Sequence, residues 1–158
     1  MINWIKKLFP ICRSITGNGT RETLAFFEKI NPELKRIKFK SGKKVFDWTI
    51  PLEWNIKDAY ISIKNKKIVN FKNSNLHVMG YSTPIKKTIS LKELLLHTYT
   101  NKKRPNSIPY VTSYYKKNWG FCMKESMKKK LKKGRYKVFI DSNLKKGFLE
   151  CSHAIIKG

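Results

Sequence analysis

The sequence predicts a mixed α/β (α+β) chain: helices in front, a small and mostly antiparallel β-rich module in the middle, and two strands at the back. Three observations carry this. Two apolar-periodic stretches lie within residues 1–31, short β-type runs separated by Asn, Gly, Lys and Pro fill residues 45–115, and apolar residues alternate from 136 onward. With 158 residues, 41% hydrophobic and 13% aromatic, the chain can build a core, and its length suits one domain or a small domain plus part of another. Disorder is excluded for most of it.

The elements follow in order. Trp4, Ile5, Leu8 and Phe9 share one side of a short helix that Pro10 ends. Gly17-Asn18-Gly19 reads as a turn, and Thr20 as the cap of a second helix whose apolar side is Leu24, Phe27 and Ile30. Asn31 before Pro32 stops that helix. Alternation over 34–40 predicts a strand. Further strands are expected at 45–50, 59–63, 67–71, 76–79 and 85–89. Ser90 with Glu93 forms a capping box for a helix running through Leu91, Leu94, Leu95 and Tyr99. Residues 101–109 are polar and proline-bearing, hence a loop. A helix over 123–131 ends at Gly134, and strands follow at 136–140 and 148–156. Two late strands without cover for their apolar faces predict an unfinished sheet, so the pattern is that of one domain interrupted by another and then cut short.

Charge is the most unusual property: 35 basic against 10 acidic residues, a formal net charge of +25 and a pI near 10.1. Such a balance fits a nucleic acid or an anionic surface as partner. Arg occurs only at positions 13, 21, 36, 104 and 135, however, and phosphate-reading proteins favour its bidentate fork. The lysines are spread in pairs along the chain, which fits the residue usage of an AT-rich genome better than a dedicated polyanion-binding surface. The three cysteines, Cys12, Cys122 and Cys151, are odd in number and form no CxxC, so a reducing cytoplasm is the expected compartment. Lys6, Lys7 and Pro10 interrupt the leading apolar stretch, so no signal peptide and no membrane partner are expected.

Chemistry-bearing motifs are sparse. Gly17-Asn18-Gly19 lacks the GxxxxGK[ST] pattern and a preceding apolar strand, which leaves a turn. His77, His97 and His153 stand in no HExxH spacing; Cys151 and His153 would lie on one side of a strand, but nothing nearby completes a ligand set. Asp47, Glu53, Asp58, Glu125 and Asp141 are scattered, as caps or ion-pair partners would be. No catalytic and no metal-binding residue is therefore assigned. Tyr110, Tyr114 and Trp119, near Lys116 and Lys117, are the candidates for a substrate cleft or binding surface, with core packing as the alternative.

Residues 8–17, 45–51, 53–56, 58–61, 74–82, 108–115 and 119–122 carry several Trp-, Pro- and Gly-bearing stretches, among them Phe46-Asp47-Trp48, Pro51 and Trp54. In this order they resemble the N-terminal portion of the bacterial aminopeptidase-like family, often called a domain of unknown function. The resemblance implies a zinc-exopeptidase-like fold, mixed α/β, interrupted by a small β-rich inserted domain. It also implies three segments: 1–44 and 123–158 from the peptidase-like domain, and 45–122 as the insertion. Zinc is expected for the full-length family, with a peptide-like substrate, but the positions that match its metal ligands lie beyond residue 158. The expectation is a chain with no cofactor and no catalysis of its own; the alternative is a basic nucleic-acid-binding module.

Overall fold

A computed structural model describes residues 1–156. In chain order the elements are α1 (Ile2–Leu8), α2 (Asn18–Ile30), β1 (Lys35–Lys40), β2 (Lys44–Val45), β3 (Trp48–Thr49), β4 (Glu53–Ile63) and β5 (Lys66–Asn70). A 3-10 turn (Asn75–His77) follows, then β6 (Ile85–Ser90), α3 (Leu91–Leu96), β7 (Thr98–Tyr99), β8 (Phe121–Cys122), α4 (Glu125–Lys128), β9 (Arg135–Lys145) and β10 (Phe148–His153). The mixed α and β content with small antiparallel sheets agrees with the expected class. The chain divides into two compact units, residues 1–55 with 144–158, and residues 56–143. The segments that the family resemblance implies, with bounds at 45 and 122, are a separate division from these compact units. Both structural divisions fall within long strands, β4 and β9, where composition does not change.

In the first unit α1 buries no residue completely, and Trp4 meets Phe26 and Phe27 of α2 edge-on at 6.3 and 6.4 Å between ring centres. The helix α2 starts two residues before the position expected for its cap. Gly17 occupies the cap with φ 96°, a left-handed conformation that glycine adopts without strain, and a Cβ there would collide with the Trp54 carbonyl. The Asn18 amide, an orphan donor of the first turn, donates to Asn55 Oδ1 at 2.7 Å. Thr20, expected as the cap, instead donates its hydroxyl backward to the Ser14 carbonyl at 2.6 Å. Asn31 ends the helix as expected. β1 pairs antiparallel with β10, from Lys35 opposite His153 to Lys40 opposite Phe148. β2 and β3 form a small hairpin.

The second unit holds a four-stranded sheet in the order β5-β4-β9-β6, with β4–β5 and β6–β9 antiparallel. The alternation of β9 places Tyr136, Val138 and Ile140 in the core, at 1% exposure or less, while Lys137 and Asp141 face outward. Ile61, Leu94, Phe121 and Met123 complete that core. The Ser90 side chain accepts from the Glu93 amide, so the capping expectation holds, but α3 ends at Leu96 rather than Tyr99. There the Thr98 hydroxyl donates to the Leu94 carbonyl and Thr98–Tyr99 pairs in parallel with Phe121–Cys122. The expected strand at 76–79 is a 3-10 turn followed by a single bridge at Val78. The expected helix at 123–131 shrinks to the one turn of α4. Lysines at 124, 128, 129, 132 and 133 would face one another four residues apart in a longer helix and repel. The two late strands do not share a sheet: β9 is internal to the four-stranded sheet and β10 pairs with β1.

Candidate functional site

The predicted aromatic segment folds onto residues 78–84 within the second unit. The Gly80 amide donates to the Val111 carbonyl at 2.8 Å, and the Ser113 amide donates to the Gly80 carbonyl at 3.0 Å. Ser82 is fully buried and knits this region together. Its hydroxyl donates to the Met79 carbonyl at 2.6 Å and accepts from the Gly120 amide, and its own carbonyl accepts from Ser142 Oγ at 2.7 Å. Between Gly80 and Ser82, Tyr81 is held at φ 63°, a conformation rare for a bulky residue. Its ring meets Tyr114 edge-on at 5.7 Å, and Tyr114 in turn tilts against Tyr115 at 4.4 Å.

The three candidates thus reach different environments. Tyr110 is 65% exposed and Tyr115 beside it in the sequence segment 75%, so this stretch presents aromatic surface to solvent. Tyr114 packs on the buried Tyr81. Trp119 stacks on His97 with ring centres 3.8 Å apart and packs against the core beside Phe121. Gly120 is confined between these groups, since a Cβ would come within 2.6 Å of the Tyr99 ring and 3.2 Å of the His97 carbonyl.

The histidines are engaged one by one. His97 donates from Nδ1 to the Trp119 carbonyl at 3.0 Å, and the buried His77 from Nδ1 to the Cys122 carbonyl at 2.9 Å. His153 lies on β10 opposite Lys35. Among the described residues no three His, Cys, Asp or Glu side chains gather where they could hold a metal ion. The zinc implied for the family therefore does not fit the donors present, because tetrahedral sites need at least three protein ligands. Burial pushes the Cys122 thiol up to about 12 and the Cys12 thiol up to about 11, so both stay protonated and poorly nucleophilic near neutral pH.

The first unit holds a half-buried charge network; the sequence allows Glu53 as an ion-pair partner but does not foretell its partners. Arg21 reaches Glu53 at 2.6 Å and Glu150 at 3.4 Å, and Arg36 reaches Glu28 at 2.6 Å and Glu150 at 3.2 Å. The Glu150 side chain is only 4% exposed, so one nearly dry carboxylate joins two guanidinium groups. Hydrogen bonding from Arg21, helped by Asn55 and the Phe148 amide, lowers the Glu53 carboxyl to about 2 against the opposing cost of burial. Arg36, helped by Ser152, holds the Glu28 carboxyl below its ordinary value. Gly147 lets the chain pass Glu53 closely, for a Cβ there would strike that side chain. The partners lie 32 and 129 residues apart in sequence, and no local pattern announces them.

Among the described residues no helix is long and apolar enough to cross a membrane. The family model described as a domain of unknown function (DUF2172) matches residues 53–143, which nearly coincides with the second compact unit. A Clostridium acetobutylicum protein, provisionally named a polysaccharide biosynthesis protein with aminopeptidase-like domain, is 50% identical over 157 residues. The match covers 99% of this chain and 36% of that protein. A crystal structure from Clostridium acetobutylicum, provisionally named a peptidase, superposes with a TM-score of 0.90 at 50% identity over 95% of this chain and 36% of the other. The chain thus spans about a third of the length of these relatives. With more than half of its residues matched to the family model, the chain belongs to the family described as a domain of unknown function (DUF2172).

Proposed function

We propose that the chain is the N-terminal portion of a zinc-aminopeptidase-like protein and that it neither binds zinc stoichiometrically nor hydrolyses peptides by itself. The observation that carries this reading is a mismatch. Identity of 50% extends over nearly the whole chain to a protein named for an aminopeptidase-like domain, yet the donors that such chemistry needs are not gathered among the described residues. Zinc hydrolysis requires imidazole and carboxylate ligands and a carboxylate to take a proton from the bound water. In this reading residues 56–143 are a β-rich module inserted into the peptidase-like domain. Tyr114 and the exposed Tyr110 contribute contacts to a peptide-like substrate, while Trp119 is held against the core by His97 and Phe121. The free thiols of Cys12, Cys122 and Cys151 fit a reducing cytoplasm.

The test is zinc content and zinc titration of the purified chain, with hydrolysis of an aminoacyl p-nitroanilide in the same zinc-supplemented sample. The expected result is no stoichiometric site and no turnover. A tight one-to-one zinc site overturns the reading.

A second reading, a basic nucleic-acid-binding module, is favoured by the exposed Tyr110 and Tyr115 beside the exposed Lys116 and Lys117. Its signature is affinity for single-stranded nucleic acid that depends on sequence and survives moderate salt. A steep loss with salt and no preference marks polyelectrolyte attraction alone.

A further inference from the structure

Beside β5, one of the two edge strands of the four-stranded sheet, the second unit carries an open groove of about 350 Å³. Its floor is the buried Val69 and Met123, its walls Met127 and Leu131, and its rim the exposed Lys66 and Lys130. No acidic residue lines it. Lys67, also at the rim, already rests its ammonium 4.3 Å from the centre of the Tyr60 ring. The adjoining segment 123–133 has lysines at 124, 128, 129, 130, 132 and 133 and one acid, Glu125. That acid is not among the residues lining the groove, and its Oε2 is buried without a hydrogen-bond partner among the described residues. The groove therefore joins an apolar floor to a rim of positive charge.

We propose that this groove docks an acidic, extended peptide segment carrying one large apolar side chain. The apolar side chain enters between Met127 and Leu131, and the flanking carboxylates meet Lys66 and Lys130. Three features select a peptide. Methionines on the floor and wall are unbranched and adapt to side chains of different shape. An edge strand offers backbone N–H and C=O groups on the side away from β4, and an extended peptide can pair with them where an acyl chain cannot. The rim, finally, demands negative charge on the occupant.

The experiment uses the purified chain and a short fluorescein-labelled peptide of Glu and Ser with one central Phe, followed by anisotropy at low and at near-physiological salt. Binding that persists at the higher salt is expected. Replacing the Phe of the peptide by Gly should weaken it at least about tenfold, the effect of losing one buried aromatic side chain. The surface double variant Lys66→Glu with Lys130→Glu, whose folding is checked by its melting curve, should weaken it by at least about tenfold as well. Leu131→Ser should raise the dissociation constant in the same direction. Equal binding of the Phe and Gly peptides, both lost at the higher salt, overturns the proposal in favour of general charge attraction. Vesicles of anionic phosphatidylglycerol that bind through the same two lysines while the peptide does not compete overturn it in favour of a lipid.

Discussion

Among the described residues, the segment 56–143 contains fourteen of the sixteen buried apolar side chains, whereas Ile50 and Trp54 are the two that the first unit contributes. The exposed large apolar residues divide the opposite way. Among the described residues, twelve of sixteen, including Ile2, Phe9, Phe46 and Ile155, lie in the first unit, and four, Leu95, Leu96, Tyr110 and Tyr115, in the second. The second unit is held as a small globular domain is, by packed side chains whose burial contributes about 1.5–3 kcal/mol each. The first is held by pairing: a two-stranded ladder, a glycine cap pressed on Trp54, and carboxylates strung between Arg21 and Arg36. Charges and backbone pairing set the geometry of that unit, but net gains from partly exposed ion pairs are small. The two units should therefore answer differently to the same insult.

The largest effect belongs to the packed unit. Phe121→Ala removes a fully buried ring beside Trp119 and should destabilise the second unit by about 3–5 kcal/mol, read by chemical denaturation. An equal loss reported by Trp4, Trp48 and Trp54 fluorescence would show that the units unfold together.

Acid should act first on the paired unit. The Glu53 carboxyl lies near 2 in the folded chain against an ordinary value of 4.5, so its contribution is complete above pH 4.5 and is lost as pH falls toward 2. Glu28 shifts in the same direction. Glu53→Gln should lower stability at neutral pH by about 1–3 kcal/mol and flatten the acid limb of the stability curve. A variant that keeps the wild-type slope between pH 2 and 4.5 would remove Glu53 from the account of the first unit.

The smallest effect has the opposite sign. Phe46 sits at the tip of the β2–β3 hairpin at φ 54° and is 100% exposed. Phe46→Gly relieves the left-handed strain and should stabilise by a few tenths to about 1 kcal/mol, since the entropy of the unfolded glycine offsets part of the gain. Destabilisation on thermal melting would mean that the Phe46 ring has a role in the free chain that its exposure does not disclose.

Much of this was readable in the residues themselves. The alternation at Tyr136, Val138 and Ile140, the Ser90–Glu93 cap and the stop at Asn31 are local signals, and each reappears in the structure. The helix expected over 123–131 failed because the lysine spacing that makes the segment helical by propensity also makes it self-repelling. The cap of α2 moved to Gly17 because Trp54, far along the chain, leaves room only for glycine there. Of the candidate aromatics, exposure separated Tyr110 from Trp119, a distinction that residue type does not contain.

By itself, the sequence determined the mixed α/β class, the family likeness, the excess of positive charge and most element positions. These depend on neighbours within a few residues or on composition. Only the tertiary structure decided which strands share a sheet, how Arg21 and Arg36 converge on Glu150, and that β10 joins β1 instead of β9. Each of those rests on a contact between residues distant in sequence, whose energy comes from burial and exact proximity that no periodicity in a single chain records.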